Sequence, residues 1–352
     1  MQRAFFIRFI ILCLFSVAII AYNVGDFIII KSQTSKSDID SFFSLREDEP
    51  IITQSQEIRE ENEAIKREET TSKQEDKGEE TVSVNADAIK GKIIEKYVSP
   101  YGASLSYNNV FLKNNTDLDI SIKGLLNEAL SFKIVETNEP QVLILHTHAT
   151  ESFMQSESKY YTEDYKSRTT DNSKNMVKIG SVVAEKLNKS GIKTIHVTTK
   201  HDYPQYNGSY SKAAQSINYY LKKYPSIKVV LDLHRDAVSS GKSDKVKLVT
   251  EINGKKAAQV MLVMGSNSGG VTNFPDWKEN LKLAVRLQQT MEVKYPTLAR
   301  PLMLRSKNYN QSLSRGSLLI EFGTDANTLG EAVYSAELVG DSLVSLLKNN
   351  LT

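Results

Sequence analysis

From Gln141 onward short apolar runs alternate with helix-patterned stretches, and this alternation constrains the fold more than any other feature of the chain. Val142 to Leu145, Thr194 to Val197, Ile227 to Leu233 and Ser317 to Ile320 read as short strands. Between the first two, Met176, Val177, Ile179, Val182, Val183 and Leu187 fall at helical spacing, with Asp171 or Ser173 as candidate N-caps and Gly191 as the stop. Ala213, Ala214, Ile217, Tyr220 and Leu221 mark a second helix that ends before Pro225, and Trp277 to about Tyr295 and Leu329 to Leu347 mark two more. Asn253-Gly254, a dipeptide suited to a type I′ turn, predicts a hairpin between Val246 to Ile252 and Val260 to Met264. Strands separated by helices imply an α/β fold, a mainly parallel (mixed) central sheet with helices on both faces. With 352 residues, 40% of them hydrophobic, the chain is long enough to bury at least one full core.

In such a sheet ligands bind outside the carboxyl ends of the strands, so the residues just past each apolar run are the informative ones. After Leu145 comes His146-Thr147-His148-Ala149-Thr150-Glu151, after Leu233 comes His234-Arg235-Asp236, and after Ile320 comes Glu321-Phe322-Gly323. Three of the five histidines therefore sit at strand ends, His201 is a fourth candidate for the same edge, and His196 lies within a strand. A hydrolytic zinc ion needs three His or carboxylate ligands and an open position for water, and a further carboxylate must take the proton of that water. His148, His234 and one carboxylate supply such a set, with Glu321 as the base, and His146 joins it if the chain turns at Thr147. Glu151 reads equally as the third ligand or as a helix cap. Arg235 and Asp236 suit a local ion pair, a contact to a substrate carboxylate, or a hydrogen bond that orients a ligand. Tyr203, Tyr206 and Tyr210 read as packing.

Composition removes other classes. The single cysteine, Cys13, lies in the first apolar run, which excludes disulfide scaffolds, cysteine-rich zinc sites and a cysteine nucleophile. A net charge of +2 gives no footprint for a nucleic-acid binder. Phe9 to Tyr22 is apolar almost throughout and follows Arg3 and Arg8, and Ile28-Ile29-Ile30 extends it. Residues 1–31 are expected to form a transmembrane helix that anchors the body outside the cytoplasm, a cleavable signal ending near Ser16-Val17-Ala18 being the alternative. Between Arg46 and Glu80 there are 13 acidic and 6 basic residues and no aromatic one, so residues 32–92 are expected to form a disordered charged tether. Residues 93–140 are expected to extend a catalytic domain spanning 141–352.

His-Thr-His-Ala-Thr-Glu-Ser at 146–152, Asp-Leu-His-Arg-Asp-Ala at 232–237 and Glu-Phe-Gly-Thr-Asp-Ala-Asn at 321–327 together resemble the stage II sporulation protein P family, the engulfment cell-wall hydrolases of endospore formers. The third motif, with Glu331 and Ala332, is also similar to the closing motif of zinc N-acetylmuramoyl-L-alanine amidases. The resemblance covers roughly residues 100–352. It implies a zinc amidase-like fold and a Zn2+-dependent amidase that cuts between the muramic acid lactyl group and L-alanine, with endopeptidase activity on peptidoglycan cross-links. It implies His148 and His234 as ligands and Glu321 as the catalytic glutamate. Those amidases carry a glutamate ligand just before the first long helix, where this chain has Asp171, Asn172 and Ser173, and Glu151 stands in for it. On this reading Arg235 orients an acidic group of the peptide, and Asp236, His201 and Asn327 line the substrate. Implied partners are the sporulation proteins D and M, in septal thinning at the engulfing membrane. Two other readings remain open, a different metal hydrolase such as a deacetylase or phosphoesterase, and an anchored wall-binding scaffold without catalysis.

Overall fold

A computed structural model describes residues 88–349. The expected membrane anchor, Cys13 and the tether as far as residue 87 lie outside the described residues. Among the described residues no helix is long and apolar enough to cross a membrane. Thirteen strands and five α-helices make up the described chain. The strands are β1 (Ile89–Lys96), β2 (Leu105–Tyr107), β3 (Val110–Asn115), β4 (Val142–Leu145), β5 (Tyr160–Thr162), β6 (Thr194–His196), β7 (Val229–Asp236), β8 (Ser239–Ser240), β9 (Asp244–Ile252), β10 (Lys255–Ala258), β11 (Val260–Gly265), β12 (Leu302–Arg305) and β13 (Ser317–Thr324). The helices are α1 (Ile122–Asn127), α2 (Met176–Lys189), α3 (Ser209–Lys223), α4 (Trp277–Lys294) and α5 (Leu329–Lys348).

An eight-stranded sheet runs in the order β2-β3-β12-β11-β13-β7-β4-β6. Only the β2/β3 and β11/β13 pairs are antiparallel. The sheet is therefore mixed and mainly parallel, as the alternation of runs requires. A smaller sheet, β10-β9-β1-β5, carries β8 beside β9. Residues ahead of β4 divide between the two, β2 and β3 lengthening the large sheet next to β12 and β1 pairing with β9.

Side-chain parity along the strands decides where the site opens, because alternate residues face opposite sides. Val142 and Ile144 on β4, Val229, Leu231 and Leu233 on β7, and Leu318, Ile320 and Phe322 on β13 enter one large core with α2, α4 and α5. Leu143, Leu145 and Val230 face the other way, into a small cluster with Ala213 and Ile217 of α3. Farther along that second face Met261, Val263 and Leu319 form a separate patch. One helix thus covers only the β6-β4-β7 half, and over β13 and β11 Met303 and Tyr309 pack on that patch instead.

Two local expectations are corrected. Asn253 and Gly254 take the left-handed conformations of a type I′ turn, but the returning strand is β10, with Lys255 opposite Ile252. Val260 to Met264 lies in the other sheet, beside β13, because the chain crosses between sheets at Gln259, whose side chain is tied to Val98 and Thr297. The α2 cap is Asn175, whose side chain accepts from Val177 N at 2.9 Å, while Asp171 spends its carboxylate on Ser173.

Candidate active site

β7 and β13 run past the apolar segments that announced them, so His234 and Glu321 lie inside strands. They are direct neighbours in the parallel register. His234 shares its parity with Val230, and Glu321 with Leu319, which puts both side chains on the second face. His148 reaches the same place from beyond β4. Thr147 turns the chain there, donating from its N to Asp232 Oδ1 at 2.8 Å and from its Oγ1 to Oδ2 at 2.6 Å. The rings of His148 and His234 meet edge to face with centroids 5.3 Å apart. Glu151 completes the group, its Oε2 3.6 Å from His234 Nδ1 and accepting from Arg235 N at 3.2 Å. It caps no helix; Arg168 holds its other oxygen at 3.4 Å.

The polar atoms of this group are incompletely satisfied. His148 Nδ1, His234 Nε2 and Glu321 Oε2 are buried without a hydrogen-bond partner. His234 Nε2 lies 2.9 Å from Asp232 Oδ1 as an ion pair, but out of hydrogen-bond alignment. Buried polar atoms without partners are costly, and a cluster of them marks a place made for something else. The field there favours positive charge. Burial alone would lower the His234 pKa, yet Asp232 and Glu151 raise it well above the ordinary value. Burial would raise Asp232, yet His234 and Thr147 pull it down to about 2. Burial pushes Glu321 up to about 8, reinforced by Glu151 and Asp236 against the opposing charges of His234 and Arg300. Glu321 is thus a carboxyl able to exchange a proton near neutral pH.

Other expected residues have different employment. His146 faces the large core, its Nδ1 against Leu233 O at 3.0 Å and its Nε2 against His196 Nε2 at 2.8 Å, so neither nitrogen is free for a metal. His201 is buried with Nδ1 on His146 O and Nε2 on Ser216 Oγ, both at 2.8 Å, and cannot line a substrate. Arg235 spends its guanidinium on the carbonyls of Ser152, Asp236 and Ser167, holding the 151–168 turn rather than facing a ligand. Asn327 is fully buried, accepting from Thr324 N and donating to Leu248 O and Glu331 Oε2. It also crowds Gly323, whose positive φ and lack of Cβ allow that approach. Asp236 pairs with Arg300 at 2.9 Å beside the site.

Sequence reasoning gave no role to Asp232 or Asp202 and read Tyr206 and Tyr210 as packing. Asp232 had a readable signal, a carboxylate interrupting an apolar strand two residues before His234. Asp202 anchors Thr150 and takes Arg168 Nη1 at 2.7 Å. Tyr206 stacks on His148 at 4.6 Å with Arg168 4.7 Å from its ring centroid, and Tyr210 meets His148 edge-on at 5.7 Å. Burial and then the nearby Asp232 and Glu321 raise the Tyr210 pKa. Neither tyrosine is ordinary packing, but only the fold brings them to His148.

Two nitrogens and a carboxylate oxygen in a field that favours cations have the donor chemistry of a zinc site, although as placed they do not all lie within 4.8 Å of one another. Among the described residues the group of potential ligands lying mutually within 4.8 Å is a different one, Glu95, Glu157 and Glu331. Lys247 Nζ already fills it, at 2.9, 2.7 and 2.9 Å from the three. That cluster is an ion-pair network with its cation built in, Lys247 and Glu331 buried and Glu95 and Glu157 exposed.

The family model described as stage II sporulation protein P matches residues 20–343. A curated relative, stage II sporulation protein P of Bacillus subtilis (strain 168), is 30% identical over 211 residues, 57% of this chain and 49% of the relative. The chain thus spans about half the length of the curated relative it matches. Among solved structures it is similar to the apo N-acetylmuramyl-L-alanine amidase Ami1 of Mycobacterium abscessus, at 12% identity and a TM-score of 0.36 over 59% of this chain and 99% of that one. It is also similar to the N-acetylmuramoyl-L-alanine amidase of Clostridium difficile 630, at 18% identity and a TM-score of 0.34 over 60% and 97%. The CwlD amidase of Clostridioides difficile, solved with the GerS lipoprotein, gives 11%, 0.36, 60% and 98%.

Proposed function

The chain belongs to the stage II sporulation protein P family, and from that premise we propose that it is a metal-dependent peptidoglycan hydrolase of the sporulating cell. In this reading it is an N-acetylmuramoyl-L-alanine amidase with endopeptidase activity on cross-links, thinning the septal wall during forespore engulfment. One observation carries the chemistry: around three neighbouring strands the rings of His148 and His234 meet at 5.3 Å, Glu151 Oε2 stands 3.6 Å from His234 Nδ1, and Glu321 lies opposite His234 with its buried Oε2 unpaired. A divalent cation held by His148, His234 and Glu151 would supply a Lewis acid for the scissile carbonyl and an acidified water. Glu321 accepts the proton of the attacking water and delivers it to the leaving L-alanine amine, which a carboxyl poised at about 8 can do in both directions. Asp232 and Thr147 fix the His234 ring and the turn that carries His148. Arg235 and Arg168 hold Glu151 in place.

The same proposal puts the catalytic unit outside the cytoplasm, tied to the membrane through residues 1–31 and the charged tether, with sporulation proteins D and M as partners. The apolar run Phe9 to Tyr22 and the acidic stretch after it support that arrangement. The test is to digest peptidoglycan with the chain and analyse the products, with zinc content measured alongside. Release of stem peptides with free L-alanine amino termini is expected, and its loss in His234→Ala and Glu321→Ala. Acetate or phosphate release instead would point to another hydrolase. Folded variants that hydrolyse as well as the parent would refute the site.

A further inference from the structure

The geometry points to Tyr210 as a further catalytic residue, its hydroxyl donating a hydrogen bond to the scissile carbonyl oxygen as that oxygen gains negative charge. The inference rests on the amidase reading and adds a group to it. Tyr210 lies in the first turn of α3, just after Gly208, whose left-handed conformation starts the helix. Its ring is set between His148, edge-on at 5.7 Å, and Tyr309, tilted at 6.3 Å. Asn310 Nδ2 donates to its carbonyl at 2.8 Å and fixes its backbone. Tyr161, Tyr165, Tyr295 and Tyr334 donate their hydroxyls to carbonyl or carboxylate oxygens of the chain, and Tyr206 places its own 3.3 Å from His148 Nε2. The Tyr210 hydroxyl makes no hydrogen bond to any described residue, although the residue is half-buried.

Its ring stands against that of His148, which in turn meets the ring of His234 at 5.3 Å, so Tyr210 borders the proposed site, and burial followed by the nearby Asp232 and Glu321 keeps its phenol protonated. As water adds to the amide, electrons move onto the carbonyl oxygen while the proton of the water goes to Glu321. A phenol beside that site whose hydroxyl has no partner in the chain is a donor open to an acceptor, and no bond of Tyr210 is made or broken. A donor positioned for a developing oxyanion contributes about 10²- to 10³-fold in kcat.

Tyr210→Phe keeps the ring on His148 and Tyr309 and removes only the donor. Expected is a fall in kcat of about 10²-fold with KM changed less than about twofold, and zinc content and melting temperature kept. A phosphinate analogue of the lactyl-alanine amide should bind the variant about 10²-fold more weakly, because it mimics the tetrahedral state. Intact muropeptide should bind Glu321→Gln and Glu321→Gln/Tyr210→Phe with equal affinity. Unchanged kcat, a rise in KM alone, or equal weakening of phosphinate and muropeptide would overturn the assignment. A parent chain that binds muropeptide but frees no L-alanine amino termini would sink the amidase reading and the role of Tyr210 with it. An active parent beside an equally active Tyr210→Phe would sink the role of Tyr210 alone.

Discussion

Gly180→Ala sets two effects of opposite sign against each other. In the middle of α2 an alanine gains about 1 kcal/mol of helix propensity over glycine. At this position a Cβ would stand 2.6 Å from His146 Nε2 and closer still to His196 Nε2. Imidazole rings cannot fold away as a lysine tip can, and His146 is fixed from its other side by Leu233 O. Overpacking of this kind costs about 1–3 kcal/mol, and parting the two rings leaves buried nitrogens unpaired at about 1–3 kcal/mol more. The clash wins by about 1–5 kcal/mol, which for a unit of this size lowers Tm by roughly 2–20 °C. Scanning calorimetry of the parent and the variant reads the shift directly. Hydrolysis should fall as well, since His146 begins the turn that delivers His148. Adding His196→Ala should make the Gly180→Ala cost smaller, a coupling above about 1 kcal/mol in a double-mutant cycle. A Gly180→Ala chain that melts at or above the parent would refute the tight packing of the histidine pair.

The same pair sets an acid limit. Burial holds His146 down at about 4, so the unfolded chain takes up this proton first and stability falls as pH drops from 6.5 towards 4. The loss is about 3 kcal/mol over the window and absent above it, so the urea midpoint should be flat from pH 7 to 8 and drop from 6.5 to 4.5. Lys247→Met leaves the buried Glu331 carboxylate without its cation at 2.9 Å and should cost about 3–5 kcal/mol by chemical denaturation, much of it restored by adding Glu331→Gln. Asp232→Asn removes the carboxylate beside His234 and should weaken zinc retention by about 10- to 100-fold in competition with a chelator, while the fold survives. Glu321→Gln should retain zinc and lose about 10²-fold or more of hydrolysis, and an active Glu321→Gln would remove the general base from the mechanism.

Much of the fold was legible because its signals are local. The runs at 142–145 and 229–233 are buried on both faces, and such continuous apolar segments announce parallel strands. The α5 stripe and its Thr328 to Glu331 capping box are likewise written in consecutive residues. The hairpin partner was misassigned because Asn253-Gly254 fixes a turn but not how long the returning strand stays in its sheet. Candidate site residues were legible as letters at strand ends and illegible as roles. His146 and His148 stand two apart in sequence, yet one ends with both nitrogens occupied and the other with Nδ1 open. What separates them is the Thr147 to Asp232 contact, 85 residues away along the chain. Arg235 and Asn327 were read outward because they belong to the motifs, whereas Arg235 donates to backbone carbonyls and Asn327 to Leu248 O and Glu331 Oε2.

Two places in this molecule gather carboxylates around a positive charge, and their difference explains why only one reads as an active site. Around Lys247 the cation is covalently part of the chain, its ammonium meets Glu95, Glu157 and Glu331 within 2.9 Å, and it is 1% exposed. A tethered ammonium cannot be exchanged, polarise a carbonyl or acidify water, so this network can only join β1, β9 and the loop at Glu157 to the start of α5. Between Asp232 and Glu151 the positive group is an imidazole, which gives up its proton and leaves a lone pair directed at the same field. Around it His148 Nδ1 and Glu321 Oε2 have neither a hydrogen-bond partner nor a cation, whereas Glu331 Oε1, likewise without a hydrogen bond, has the Lys247 ammonium at 2.9 Å. Exchangeable charge together with unfilled donors and acceptors is what hydrolysis needs, and among these two clusters only the one over β7 and β13 has both.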